Sequence, residues 1–286
     1  MNPNDRNVSL LERAAEQLGE VLLEQLVFVG GAVAGVLITD PAMPEIRPTQ
    51  DVDVICRVIA RSDYHQLGSQ LRQRGFQEDS RPGAPLCRWC MEDLVLDLMP
   101  TQGEILGFSN RWYPLALDTA ELQGLPSGRS IRIVTAPVFL ATKLEAFRDR
   151  GRGDFLFSHD LEDLMAVVDG RASLLEECRL SPPELQQDLA AQFQELLNTA
   201  AFLEALPAFL PPDQASQQRL PDVLETQLEV ETTEDEKGRK RRKASLVKLL
   251  ELCLQDDRTN PLKAVIKEYP ILLRKYYRVQ IGRAHV

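Results

Sequence analysis

The chain has 286 residues, 44% hydrophobic composition and a formal net charge of −10 at pH 7. That length suffices for one large domain or two modest ones, each with its own core. The negative charge argues against a protein that coats nucleic acid, because phosphate binding needs positive charge, but it leaves a local basic groove open.

The N-terminal stretch MNPNDRNVSLLERAAEQ is polar and lacks the apolar segment of a secretory signal. The longest apolar run, Leu26 to Ile38, is too short to cross a bilayer. The expectation is a soluble, cytoplasmic protein without membrane contact. Ser9 and Glu12 are spaced as a capping box, and Leu11, Ala14, Ala15, Leu18, Val21 and Leu22 recur at helical spacing up to about Gln25. Leu26 to Val29 then reads as a short buried strand. Gly30 and Gly31 follow, and Ala32 to Ile38 reads as a short helix stopped by Thr39-Asp40-Pro41.

Asp51 to Ile59 reads as a second strand. Ser62 is placed to cap a helix with Tyr64, Leu67 and Leu71 on one face and Gly75 as its stop. Leu86 to Met91 and Leu94 to Met99 read as strands joined at Glu92-Asp93, and Arg129 to Thr135 as a further strand. Cys87 and Cys90 form the one CRWC among five scattered cysteines. With no second pair or histidines at ligand spacing nearby, they read as small buried thiols at a strand edge.

From Pro137 the period becomes helical. One helix runs to about Asp149, a polar break RDRGRGD follows, and Ser158 caps a helix closed by Asp169-Gly170. Asp160, Glu162 and Asp163 suit the positive N-terminal end of that helix. Ser181 and Glu184 are spaced as a second capping box. They open a helix carrying Leu185, Leu189, Phe193, Leu196 and Leu197 that ends by Pro207. The expected organisation is an α/β core over 1–135, a mixed sheet flanked by helices, then a C-terminal all-α domain over 136–210. Residues 211–286 form a linker and a tail. In the tail an acidic stretch from Glu229 to Glu236 meets a basic run from Lys237 to Lys243, which reads as a solvated hinge. The last six residues, Ile281 to Val286, back-translate naturally to a string resembling a common sequencing-library adapter. The expectation is that they are not biological, so Arg283 and His285 receive no role. The codons of the gene test this directly, and different codons would remove the idea.

The chemistry-bearing residues are carboxylates set among apolar neighbours, where aspartate is depleted and an unpaired charge is costly. Strand side chains alternate faces, so Asp51 and Asp53 point the same way with α-carbons roughly 6.5–7 Å apart. Two carboxylates on one face repel unless something positive lies between them, and a divalent cation held by oxygen ligands would serve. Asp97 interrupts a second apolar strand, LVLDLMP. If the two strands are neighbours, three carboxylates converge. Three can bridge two cations about 3.5–4 Å apart, the arrangement that clamps attacking and leaving oxygens in phosphoryl transfer. Gly30 and Gly31 lie between a strand and a helix, where bare backbone and free N–H groups suit a phosphate. Taken singly, the glycines also read as a tight turn and each aspartate as a solvated edge; the ordered combination is the signal.

Gly30-Gly31, Asp51-Val-Asp53 and Asp97 together resemble the signature of the nucleotidyltransferase superfamily, whose core is similar to DNA polymerase beta. The stretch from Thr142 to Arg171, TKLEAFRDRGRGDFLFSHDLEDLMAVVDGR, resembles the helical part of minimal bacterial nucleotidyltransferases grouped with AbiEii-type abortive-infection toxins. The likeness spans roughly Leu10 to Glu225. It implies a nucleotidyltransferase-type sheet in which Asp51 and Asp53 hold two Mg2+ (or Mn2+) ions. Asp97 would share one ion and help deprotonate the acceptor hydroxyl. Gly30 and Gly31 would bind the triphosphate of an NTP, and Lys143 would contact its phosphates. Arg47 and Thr49 precede the metal strand within reach of a phosphate, and equally read as surface loop residues. Arg148, Arg150 and Arg152 form a basic loop open to RNA or simply to solvent. The resemblance further implies a tRNA end or a protein as acceptor and a cognate antitoxin as partner. Two other readings stay open: a non-catalytic nucleotide-binding or antitoxin-like module, and a small-molecule nucleotidyltransferase.

Overall fold

Residues 5–40, 43, 46–58, 60–151 and 153–209 are described in the computed structural model of the chain. The expectations for the tail, its charge runs and the last six residues lie outside them. The chain divides into two units, Met1–Leu180 and Ser181–Val286.

Helix α1 (Arg6–Leu23) starts one turn before the expected capping box. Asp5 is its cap: the carboxylate accepts from the Asn7 amide at 2.7 Å and the Val8 amide at 3.3 Å. Aspartate caps at least as well as serine, and the earlier start adds Val8 to the buried stripe. Ser9 instead donates its hydroxyl to the Asp5 carbonyl at 3.1 Å. Strand β1 (Leu26–Val29) leads directly into helix α2 (Gly30–Leu37), whose first two residues are the glycines expected between strand and helix. Strand β2 (Asp51–Cys56) is followed by α3 (Arg61–Gln73). There Ala60, not Ser62, is the capping position, and Asp63 reaches back to the Ala60 amide at 3.0 Å. The short β3 (Gln77–Glu78) precedes the hairpin of β4 (Arg88–Met91) and β5 (Leu94–Pro100), turned at Glu92-Asp93 as expected, with Glu92 at φ 54°. Two short helices, α4 (Gly103–Leu106) and α5 (Tyr113–Asp118), lead to β6 (Glu121–Gly124) and β7 (Ser130–Ile133).

The fold is mixed α/β. The seven strands form one mixed sheet in the order β3-β4-β5-β2-β1-β7-β6. Strand β2 runs antiparallel to β1 and parallel to β5, while β1 runs parallel to β7. Paired residues share a face, so the register defines rows across the sheet. One row, Ile133–Phe28–Val54–Leu98, is apolar and buried throughout. The register of β4 puts Trp89 opposite Leu96 on the same apolar face, where its ring lies against Gly68 of α3.

Helix α6 (Ala136–Arg150) carries Pro137 in its first turn, where a missing N–H costs nothing. Helix α7 (His159–Gly170) is capped by Ser158, whose hydroxyl accepts from the Leu161 amide. These two helices and α8 (Leu174–Leu180) belong to the same unit as the sheet. The described part of the second unit is helical. Helix α9 (Pro183–Leu197) buries Leu185, Leu189, Phe193, Leu196 and Leu197, and Asn198-Thr199 separates it from α10 (Ala200–Ala205). Ser181 does not cap α9; Pro182 occupies the capping position and carries no side-chain acceptor.

Phe28, 0% exposed at the centre of the sheet, supplies the largest side chain of the apolar row. Phe28→Ala is expected to cost about 3–5 kcal/mol. Leu122→Ala, on an edge strand and 77% exposed, is expected to stay within about 0.5 kcal/mol of wild type. Urea denaturation of the two variants measures both.

Candidate functional site

One residue along from the apolar row, the register sets Val29, Asp53, Asp97 and Arg88 side by side across β1, β2, β5 and β4. Asp51, two residues before Asp53, lies on the same face. The structure thus brings the three sequence-predicted carboxylates together. It also adds a residue that sequence reading passed over. The Arg88 guanidinium donates from Nε to Asp97 Oδ1 at 2.8 Å and from Nη2 to Asp97 Oδ2 at 2.8 Å, a planar two-pronged pair. The same Nη2 donates to Asp51 Oδ2 at 2.9 Å. Hydrogen bonding to Asp97, against the pull of burial, raises the Arg88 pKa beyond its already high value.

Asp53 is different. It is half-buried, yet its side chain makes no hydrogen bond and no ion pair among the described residues. Burial and then the Asp51 charge push its pKa up to about 7, with Asp97 adding to the effect and Lys143 and Arg150 opposing it. Gly30 lies against Asp53. A Cβ built there would sit 1.8 Å from Asp53 Oδ2, and Gly30 has φ +70°, so both space and conformation demand glycine. Gly31 faces Asp163 and Thr49; its Cβ would lie 3.0 Å from Asp163 Oδ2. Val29, at the cap position of α2, offers no side-chain acceptor, so no side chain occupies the cap of this helix.

Thr49 belongs to the same face. Its hydroxyl donates to Asp51 Oδ1 at 2.9 Å, and its amide donates to Asn7 Oδ1 at 2.9 Å. Lys143 lies in a second, adjoining cluster. It is buried, and Nζ donates to Asp163 Oδ2 at 2.7 Å and to Asp160 Oδ1 at 3.2 Å. Burial works against its charge, but Asp163 and Asp160 outweigh it and the pKa is raised. Asp160 also receives both prongs of Arg150 at 2.8–2.9 Å. Burial opposes the Asp160 charge, yet Arg150 and Lys143 hold its pKa below the usual carboxylate range. Arg47 bridges to Glu162 at 3.2 Å and to Asp163 at 3.4 Å. Of the expected basic loop, Arg148 is exposed, Arg150 is committed to Asp160, and Arg152 lies outside the described residues.

No group of three or more His, Cys, Asp or Glu side chains is gathered as a metal site among the described residues. The three carboxylates share a face, but Asp51 and Asp97 converge on Arg88. Cys87, next to it, is buried, and burial pushes its thiol up to about 12. No protein-family model matches the sequence, and no curated protein matches it.

The residues missed by sequence reading are Arg88, Asp160 and Asp163 as partners. Asp160 and Asp163 were legible only as helix-end acids, although a spacing of three on a helix puts both on one face. Arg88 carried a signal in the hairpin: pairing outward from Glu92-Asp93 brings it opposite Asp97.

The raised Asp53 pKa has a consequence for stability. Between its ordinary value of 3.8 and about 7, the folded chain keeps a proton that the unfolded chain has released. Stability therefore falls as pH rises through that window and is lowest above it. In chelator-treated protein, Asp53→Asn is expected to be more stable than wild type at pH 8, on the order of 2–4 kcal/mol, with the difference vanishing near pH 4. Denaturant unfolding of both proteins across this pH range checks it.

Proposed function

We propose that this chain is a magnesium-dependent nucleotidyltransferase, moving a nucleoside monophosphate from an NTP to a hydroxyl acceptor with release of pyrophosphate. The observation that carries the reading is the parallel register of Asp53 on Asp97, with Asp51 on the same face and the Gly30 turn against Asp53. The donor set fits a divalent ion: Asp53 has both carboxylate oxygens uncommitted, and Asp51 Oδ1 keeps a lone pair beside the Thr49 hydroxyl. Magnesium held there would neutralise charge on the transferring phosphate and bring the acceptor hydroxyl nearer to ionisation.

The remaining work falls to the chain. The α2 N-terminus, with glycine at its first two positions, lets triphosphate oxygens approach backbone N–H groups. The acceptor oxygen attacks the α-phosphorus, the bond to pyrophosphate breaks, and the hydroxyl proton leaves to a carboxylate. Asp97 would take it on the second lone pair that each of its oxygens keeps beside the Arg88 hydrogen bond. Lys143 and Arg47 both pair with Asp163, which faces Gly31 at the start of α2, and the Lys143 charge draws the Asp53 pKa downward. The acceptor classes are an RNA end such as that of tRNA, a protein, or a small molecule, and a toxin-like role would bring a neutralising partner protein.

A second reading, a non-catalytic nucleotide-binding module, is favoured by one observation: Arg88 satisfies Asp51 and Asp97 with no metal needed.

Incubation with α-labelled NTPs, Mg2+ and total RNA or protein separates the two. Transfer of label by wild type, reduced at least about 100-fold in Asp53→Ala, is the expected result. Nucleotide affinity without label transfer under any of these conditions would replace the enzyme reading with the binding one.

A further inference from the structure

Arg88 is a charge that the proposed chemistry does not use, standing where a metal ion would stand. It lies between Asp51 and Asp97, within 2.9 Å of an oxygen of each, on the face where two like charges require a positive group. Three hydrogen bonds hold it: Nε and Nη2 to Asp97, and Nη2 to Asp51. Its position comes from the β4–β5 ladder, which sets Arg88 opposite Asp97 in antiparallel register, rather than from a flexible loop. The Arg88 side chain is 23% exposed and that of Asp97 11%, so solvent screens the pair only in part.

We infer that Arg88 is a built-in cation that replaces a second metal ion between Asp51 and Asp97, so that the protein by itself takes one divalent ion, on Asp53 and Asp51. This rests on the nucleotidyltransferase reading for what the bound ion is for, but not for the number bound.

The chemistry distinguishes the two halves of the face. Guanidinium is permanently charged, and its planar fork matches a carboxylate. A divalent ion entering between Asp51 and Asp97 meets this fixed positive charge at contact range and must expel it from three hydrogen bonds. An ion on Asp53 meets no such barrier, because that carboxylate has no hydrogen-bonding or ion-pair partner among the described residues. Arg88 is thus a positioning residue: it holds Asp97 and Asp51 in place and removes one ion from the requirement.

Counting bound Mn2+ on the full chain by titration with electron paramagnetic resonance detection of free ion tests this without any transfer reaction. Wild type and Arg88→Lys, which keeps the charge, are expected to bind one Mn2+ per chain. Arg88→Met, of similar volume and no charge, is expected to bind two. The double variant Arg88→Met/Asp97→Asn is expected to return to one, because the extra ion needs the freed Asp97 carboxylate. Two ions on wild type, no gain in Arg88→Met, an extra ion that survives loss of the Asp97 charge, or no binding to any variant would each overturn the inference. Loss of folding in Arg88→Met is excluded by its circular dichroism. If it does not fold, Arg88→Gln takes its place with the same expected count. Label transfer with a wild-type count of two would overturn this inference and leave the enzyme reading standing. A count of one without label transfer would do the reverse.

Discussion

Two carboxylates directly abreast on neighbouring strands repel, and the sheet holds Asp53 beside Asp97 because the pairing of β2 with β5 leaves no alternative. Side chains alternate with a period of two. A slip of one residue would therefore turn Asp51, Asp53 and Asp97 onto the apolar face and bring Val52, Val54, Leu96 and Leu98 to the polar one. The apolar row Ile133–Phe28–Val54–Leu98 fixes the register, and the acidic row is its consequence. Hydrophobic burial on one side thus sets the spacing of charges on the other. The same ladder extends to β4 and brings Arg88 into line, so the repulsion and its partial remedy come from one pattern of backbone hydrogen bonds.

The remedy is uneven. Asp97 and Asp51 share a guanidinium, whereas Asp53 has no hydrogen-bonding or ion-pair partner among the described residues and lies against Gly30. A half-buried carboxylate without a partner opposes folding, and such groups persist where function needs them. Gly30 belongs to the same account. Its positive φ and the absence of a Cβ let β1 pass straight into α2 with backbone against the Asp53 carboxylate. Any other residue would both strain the backbone and displace the acid. The carboxylate of this face that lacks a direct partner and the close approach at Gly30 coincide.

Much of this was legible from residue types and spacing alone. Strand β1, the Glu92-Asp93 hairpin, Ser158 as a cap and the shared orientation of Asp51 and Asp53 follow from local rules. The pairing of Asp53 with Asp97 does not, because it depends on which strands become parallel neighbours, and nothing in either segment states that. Arg88 was hidden for a different reason. It sits inside CRWC, where the cysteines draw the reading towards thiol chemistry, and an arginine at a strand edge ordinarily reads as solvated. The glycines were legible as the opening of a helix after a strand, and they are the first two residues of α2, but nothing local says that the helix begins against a carboxylate. The helix start at Ser9 was misplaced because a competing cap, Asp5, lay four residues upstream; at Ser62 and Ser181 the capping position fell instead on Ala60 and Pro182, which offer no side-chain acceptor.

The second cluster bears on how the helices serve the sheet. Lys143 on α6 is held by Asp160 and Asp163 on α7, and Asp163 in turn approaches Gly31 and Arg47. A buried lysine with two carboxylate partners is a costly way to join two helices if cohesion were the only gain, since apolar residues of similar volume do as well. What apolar residues cannot do is set charged groups close enough to Asp53 to act on its ionisation. Lys143 and Arg150 both draw the Asp53 pKa downward, against burial and the neighbouring acids. The ion pairs therefore lock α6 to α7 and at the same time moderate Asp53, which has no hydrogen-bonding or ion-pair partner among the described residues. For Lys143 to reach a phosphate directly it would have to give up Asp163, its closest partner. Acting through charge at a distance, as it does on Asp53, requires no such exchange.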